Sequence, residues 1–182
     1  MGVCMKQREI PAHDPYMPKY FFVTAGKAFS PVSPLNAFDE ALMDAGIAQC
    51  NLVPVSSILP AGAVEIDFIP ITPGAIVFTI MARIEGNEGE TISAGVAWSF
   101  SVSKEYGRYG IVVEACGKVS KDELREELME KISRMAKVRR MNLEEIKMKL
   151  VSIKRIPKGM YGSVIAAVVF VPIVDYHKVK GY

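Results

Sequence analysis

Residues 75–102 read AIVFTIMARIEGNEGETISAGVAWSFSV, and the way they divide decides the fold. Two runs rich in β-branched and aromatic residues, Ala75–Ile84 and Thr91–Val102, flank Glu85-Gly86-Asn87-Glu88-Gly89. The Gly and Asn content of that linker is that of a hairpin connection. Tyr109–Cys116 follows as a further apolar strand, interrupted only by Glu114 and ended by Gly117. Beyond it, Ser120 with Glu123 three residues on matches a capping box, and Leu124, Leu128, Ile132, Met135 and Val138 continue on one helical face. Acids and bases are interspersed on the other face, which reads as a solvated surface. After Asn142 the period drops to two, with Ile146, Met148 and Leu150 alternating with Lys147 and Lys149. Gly159–Gly162 then turns the chain into a last apolar strand that runs through Val171.

Toward the N-terminus, Asn51–Leu59 reads as one β-branched strand ending at the turn Pro60-Ala61-Gly62. Leu35, Phe38, Leu42 and Ala45 recur at helical spacing, Asp39 lies beside that stripe, and Gly46 closes the helix. Tyr20–Ala25 is the first strand, Gly26–Pro34 is turn-rich, and residues 1–19, with Pro11, Pro15 and Pro18, form an arm. The order β, α, several β, α, β, β predicts an α+β domain over residues 1–182, with mostly antiparallel stacked sheets covered by helices.

Composition narrows the chemistry. The 182 residues carry Lys+Arg 22 against Asp+Glu 20, a net charge of +2, too small to suggest nucleic acid. Mean hydropathy is +0.20, yet no apolar run approaches the ~18 residues of a membrane span. The opening residues lack a secretory pattern, so a cytoplasmic protein is expected. Two histidines, His13 and His177, argue against a His-rich metal site or a Ser-His-Asp hydrolase. Cys4, Cys50 and Cys116 form no CxxC pair, and the apolar neighbours of Cys50 and Cys116 point to buried, reduced thiols.

Three features remain for catalysis. Ser56-Ser57 interrupts an apolar strand just before a proline turn; Glu114 is embedded in a strand; Asp39 sits near a helix start. Taken singly, each has an ordinary structural explanation: polar residues at a strand end, an acid on a solvent face, and an acid complementing a helix dipole. A carboxyl in such a strand can instead be held in a dry place with a raised pKa.

Read together, Pro34-Leu35-Asn36-Ala37-Phe38-Asp39, Ala45-Gly46-Ile47, Asn51-Leu52, Ser56-Ser57-Ile58-Leu59-Pro60, Gly89-Glu90-Thr91-Ile92-Ser93-Ala94 and the Glu114 strand ending Gly117-Lys118 resemble the archaeal pyruvoyl-dependent arginine decarboxylases, from about Tyr20 to Val171. The resemblance implies an αββα sandwich and a self-processing proenzyme. The Ser57 hydroxyl would attack the Ser56 carbonyl, and the resulting ester would eliminate to leave a dehydroalanine that hydrolyses to a pyruvoyl group. A β chain of residues 1–56 and an α chain of 57–182 would result, with Asn51 as processing helper. The pyruvoyl ketone would form a Schiff base with L-arginine and yield agmatine, a polyamine precursor, without metal or pyridoxal phosphate. By the same resemblance Glu114 is the proton donor, kept neutral by an apolar setting, and Asp39 receives the guanidinium. It further implies a homotrimer of αβ protomers, or a dimer of trimers, with sites at protomer contacts. Two alternatives stay open: the same chemistry on another amino acid, or an unprocessed, non-catalytic trimeric member. The tail from Tyr176 to Tyr182 has no assigned role.

Overall fold

The strands of the 75–116 stretch form where their β-branched and apolar runs set them, but the first does not pair with the second. In the computed structural model, which describes residues 16–181, β5 (Ile76–Gly86) and β6 (Ile92–Ser103) belong to different sheets. The linker at 85–89 is thus a bridge between layers and not a hairpin turn. One sheet has the order β2-β5-β9-β1-β4, with β1 (Tyr20–Ser30), β2 (Asn51–Pro54), β4 (Val64–Glu65) and β9 (Tyr161–Phe170). The other has the order β3-β7-β6-β8, with β3 (Ile58–Leu59), β7 (Gly107–Gly117) and β8 (Lys147–Ile153). The second sheet is antiparallel throughout; in the first, the short edge pairings β1–β4 and β2–β5 are parallel.

Period-two alternation divides the apolar side chains between layers. Along β9, Ala166, Val168 and Phe170 face the second sheet and meet Val96, Trp98, Phe100 and Val112. Ile165, Ala167 and Val169 face the other way, toward α1 (Pro34–Asp44). The capping box is formed: the Ser120 side chain accepts from the Glu123 amide, and α2 (Lys121–Val138) lays Leu124, Leu128 and Ile132 on Ile111, Val113 and Ala115. Four layers result, α1, sheet, sheet and α2, which is the expected αββα sandwich.

Three further expectations need correcting. First, β1 does not stop at Ala25 but continues to Ser30. Gly26 serves close approach and not a turn: a Cβ there would lie 2.1 Å from the Ala41 carbonyl oxygen of α1. Second, Asn51–Leu59 is not one strand. It splits into β2 and β3 because the chain leaves one sheet and joins the other. Third, Cys116 is exposed and Cys50 only half-buried; partial burial still pushes both thiols up, so neither is activated as a nucleophile.

The helix end at Gly46 is as read, with φ of +76°. Of the arm, residues 1–15 lie outside the described residues. The C-terminal segment has a packing role: a 3₁₀ helix (Ile173–Lys178) puts Tyr176 edge-on to Tyr20, with ring centroids 5.0 Å apart. It also buries Asp175, which accepts from the Thr72 amide and hydroxyl at 3.0 and 2.7 Å and pairs with Lys178 at 2.6 Å. Burial, the largest single influence, raises the Asp175 carboxyl. The hydrogen bonds from Lys178 and Thr72 together outweigh it and hold the group below the usual carboxylate range.

Candidate functional site

The segment between β2 and β3 is the crossover from one sheet to the other at the open edge of the sandwich. Each side of it is tied to a different sheet. The Val55 N–H donates to the Thr79 carbonyl of β5 at 2.9 Å, and the Ser57 carbonyl accepts from the Val112 N–H of β7 at 2.9 Å. Between these ties the Ile58 N–H donates to the Ser56 carbonyl at 2.9 Å, closing a three-residue turn centred on Ser57. Among the described residues the Ser57 hydroxyl has no hydrogen-bond partner.

Ser56 and Ser57 look onto different hollows. Ser56 borders one of about 230 Å³ with Tyr16, Val55, Phe78 and Phe170. Ser57 opens onto a cleft of about 490 Å³ whose walls include Glu114 of β7 and Lys131, Arg134, Val138 and Arg139 of α2 or its C-terminal end. Two of the residues singled out in the sequence therefore share one cleft. Glu114 is exposed in the single chain, not sequestered, so the dry setting expected for it is not supplied by this chain alone. Lys131 reaches its backbone carbonyl at 3.4 Å and pairs with Glu127 at 2.7 Å. The Arg134 and Arg139 side chains have no partner among the described residues. With Lys131 engaged by Glu127, the Arg134 and Arg139 guanidiniums give this wall its positive field.

The other two expected site residues lie elsewhere. Asp39 is exposed on α1, across the sandwich from α2 and outside the Ser57 cleft. Its neighbour Phe38 carries the Arg83 guanidinium 3.9 Å over its ring, and Arg83 pairs with Glu85 at 3.3 Å, which pins this turn of α1 to β5. Asn51 begins β2, and its side-chain amide donates to the Gly74 carbonyl at 2.9 Å. The strand ladder continues to Val55, so about 13 Å of extended chain separates residue 51 from residue 55. Within one chain, the Asn51 amide is thus far from the Ser56–Ser57 bond.

Sequence reasoning missed the cationic wall, because Lys131, Arg134 and Arg139 read as ordinary solvated helix surface. Nothing in the sequence set them apart; Val138, read as part of the buried stripe, is instead 78% exposed at the lip of the cleft. A more enclosed hollow of about 260 Å³ lies beside β4 and β8. Its charges satisfy one another: Arg108 forks onto Glu144 at 2.9 and 2.7 Å, and Lys147 meets Glu65 at 2.9 Å. Glu144 is held below the usual carboxylate range by the Arg108 hydrogen bonds. That hollow is a structural lock.

A hydroxyl residue held on an inter-sheet crossover, sharing a cleft with a carboxylate on an αββα frame, is an arrangement of the kind an enzyme site presents. Among the described residues no group of three or more His, Cys, Asp or Glu is placed to hold a metal ion. The family described as pyruvoyl-dependent arginine decarboxylase matches residues 20–175. The pyruvoyl-dependent arginine decarboxylase of Pyrococcus abyssi is 37% identical over 141 residues, 76% of this chain and 86% of the relative. That of Methanopyrus kandleri is 33% identical over 154 residues, 85% and 97% of the two chains. That of Methanocaldococcus jannaschii is 39% identical over 107 residues, 58% and 61%. The chain belongs to the pyruvoyl-dependent arginine decarboxylase family. The covalent group this family depends on fits position 57: the residue carries the needed β-hydroxyl, its carbonyl is fixed by Val112, and its side chain borders open space beside Glu114.

Proposed function

We propose that this chain cuts itself between Ser56 and Ser57 and then decarboxylates L-arginine to agmatine, a polyamine precursor, in the cytoplasm. The observation that carries this reading is the shared cleft of Ser57 and Glu114. A pyruvoyl group at position 57 supplies an electrophilic carbonyl that takes the substrate amine and draws electrons from the bond to the leaving carboxylate. Glu114, across the cleft, delivers the proton that replaces carbon dioxide on the substrate α-carbon. The positive α2 wall repels the substrate guanidinium and attracts its carboxylate, which orients the carboxylate end toward Arg134 and Arg139.

The guanidinium then needs an anion on the other side, and Asp39 is that group. Its fork-like pairing with a planar cation favours arginine over lysine. Because Asp39 lies on the opposite layer of its own chain, a second copy must bring it to the cleft; a homotrimer, or a dimer of trimers, meets that need. The same neighbour would cover Glu114 and exclude water from the proton transfer. Asn51, committed to Gly74 in its own chain, would assist processing from across such a contact. Among the described residues no helix is long and apolar enough to cross a membrane.

The test is intact mass on a denaturing gel, followed by labelled carbon dioxide release from arginine, lysine, ornithine, histidine and aspartate. Fragments of residues 1–56 and 57–182, the second blocked at its amino end, with release from arginine alone, are expected. A single uncut band of 20.0 kDa after prolonged incubation would sink the self-processing reading. Release from another amino acid and not from arginine would reassign the substrate.

A further inference from the structure

We infer that the backbone N–H of Ile58 is the oxyanion donor for the self-cleavage, an inference that rests on the processing reading above. The Ile58 N–H sits 2.9 Å from the Ser56 carbonyl oxygen, the atom that gains charge when the Ser57 hydroxyl attacks. Ile58 pairs with Ile111 at the edge of its sheet, yet its N–H is turned back onto Ser56. Asn51, the side chain the family resemblance nominates for processing, is held at the far end of β2 on Gly74.

The reaction proceeds as follows. The Ser57 Oγ bonds to the Ser56 carbonyl carbon, closing a five-membered ring through Cβ, Cα and N of residue 57, and the hydroxyl proton leaves. The carbonyl π electrons move onto oxygen, where the Ile58 N–H meets them. The C–N bond then breaks, the nitrogen takes a proton, and an ester between Ser56 and the Ser57 oxygen remains. Loss of the Ser57 α-proton with cleavage of Cβ–O releases the Ser56 carboxylate and leaves dehydroalanine; water converts that to the ketone and ammonia. The hydrogen bond from the Ile58 N–H strengthens as charge develops on oxygen, so the contact favours the transition state over the resting peptide. The donor is also fixed in advance. Ser57, the middle residue of the turn, is anchored by its carbonyl to Val112, so no reorganisation is needed when the oxyanion forms.

The experiment replaces the Ser57–Ile58 amide by an ester, using the α-hydroxy analogue of isoleucine at position 58 of the full chain. Ile58→Pro removes the same donor by a different backbone change, and Ile58→Val keeps it. Cleavage is timed by intact mass, with the melting temperature and near-ultraviolet dichroism recorded on each uncut chain. Both donor-less chains are expected to cleave slower by about 10²–10³-fold, the loss typical of one oxyanion donor, while Ile58→Val keeps the parent rate. A folded donor-less chain of either kind that cleaves within about threefold of the parent overturns the inference. If the parent chain itself stays uncut, the processing reading falls instead, so the two failures are distinguishable.

Discussion

Gly26→Ala separates the two activities proposed for this protein. Position 26 lies on β1 directly beneath α1, where an added methyl would meet the Ala41 carbonyl oxygen at 2.1 Å, the Ala45 nitrogen at 2.7 Å and the Ala45 Cβ at 3.0 Å. Real Cβ contacts stop near 3.0 Å, so α1 has to lift by about 0.9 Å from the first of these alone (3.0 − 2.1). The obstacles are helix backbone and cannot rotate away. Overpacking of this kind costs about 1–3 kcal/mol, which for a domain of this size lowers the melting temperature by roughly 2–12 °C. The functional consequence follows from which layer moves. Asp39 rides on α1, and misplacing a substrate-positioning group by ~1 Å costs about 10²-fold in turnover. The Ser56–Ser57 crossover is tied to β5 and β7, not to α1, so cleavage should proceed at the parent rate. The assay is paired: intact mass for cleavage, and carbon dioxide release from arginine on the fully cleaved protein. Parent-level turnover in a cleaved Gly26→Ala protein would refute the reasoning from α1 to Asp39, and loss of cleavage would refute the independence of the two layers.

Asp39→Ala should be cut normally yet lose arginine turnover; uncut protein or unchanged turnover would remove Asp39 from the substrate role. Glu114→Gln should process and bind but fail to complete decarboxylation, and full turnover by that variant would exclude Glu114 as proton donor. Asp175 governs acid stability. Its folded value lies below the ordinary ~3.9 of an unfolded aspartate, so its stabilising contribution is complete above about pH 4 and drains away as pH falls through the lower folded value. Melting scans should therefore show a steeper loss below about pH 4 for the parent than for Asp175→Asn, and parallel curves would contradict this. After cleavage, fragments 1–56 and 57–182 should co-elute in native gel filtration and separate only in denaturant, because β1 of the first pairs with β9 of the second from Phe21–Phe170 to Ser30–Tyr161. Native separation would mean that the sheet does not survive the cut.

The layers were legible in the sequence because burial writes its period into side chains. Continuous β-branched and apolar runs marked β6, β7 and β9, alternation marked β8, and the Ser120–Glu123 box marked the start of α2. What was not legible was pairing. The linker at 85–89 has hairpin composition, but composition constrains local φ/ψ and not the sheet a strand joins; only the second layer of partners settles that. Gly26 misled for a related reason. Glycine marks either a turn or a close approach, and the approach depends on a helix whose contact residues Ala41 and Ala45 are fifteen or more positions away. For the site, residue types at Ser57 and Glu114 were readable, and the cleft unites them. The separation of Asp39 and Asn51 from that cleft was not readable, since a strand-and-helix reading carries no information about which face of a four-layer stack points where.

The topology suits the proposed position of the scissile bond. A peptide inside either sheet would have its carbonyl held by a ladder partner and its flanking strand locked in place. The Ser56–Ser57 bond instead bridges two sheets, with Val55 held by Thr79 on one side and the Ser57 carbonyl held by Val112 on the other. Cutting it removes no sheet hydrogen bond, and each new end stays anchored on its own layer. The same crossover opens to the edge of the sandwich, where Ser57 and Glu114 border a common cleft. A hydroxyl residue at this one junction can therefore be dismantled into an electrophile without unfolding the frame that must then present it to a substrate. A serine pair within β5, β6 or β9 could not, because its attack geometry would compete with ladder hydrogen bonds and its product would have no access to solvent.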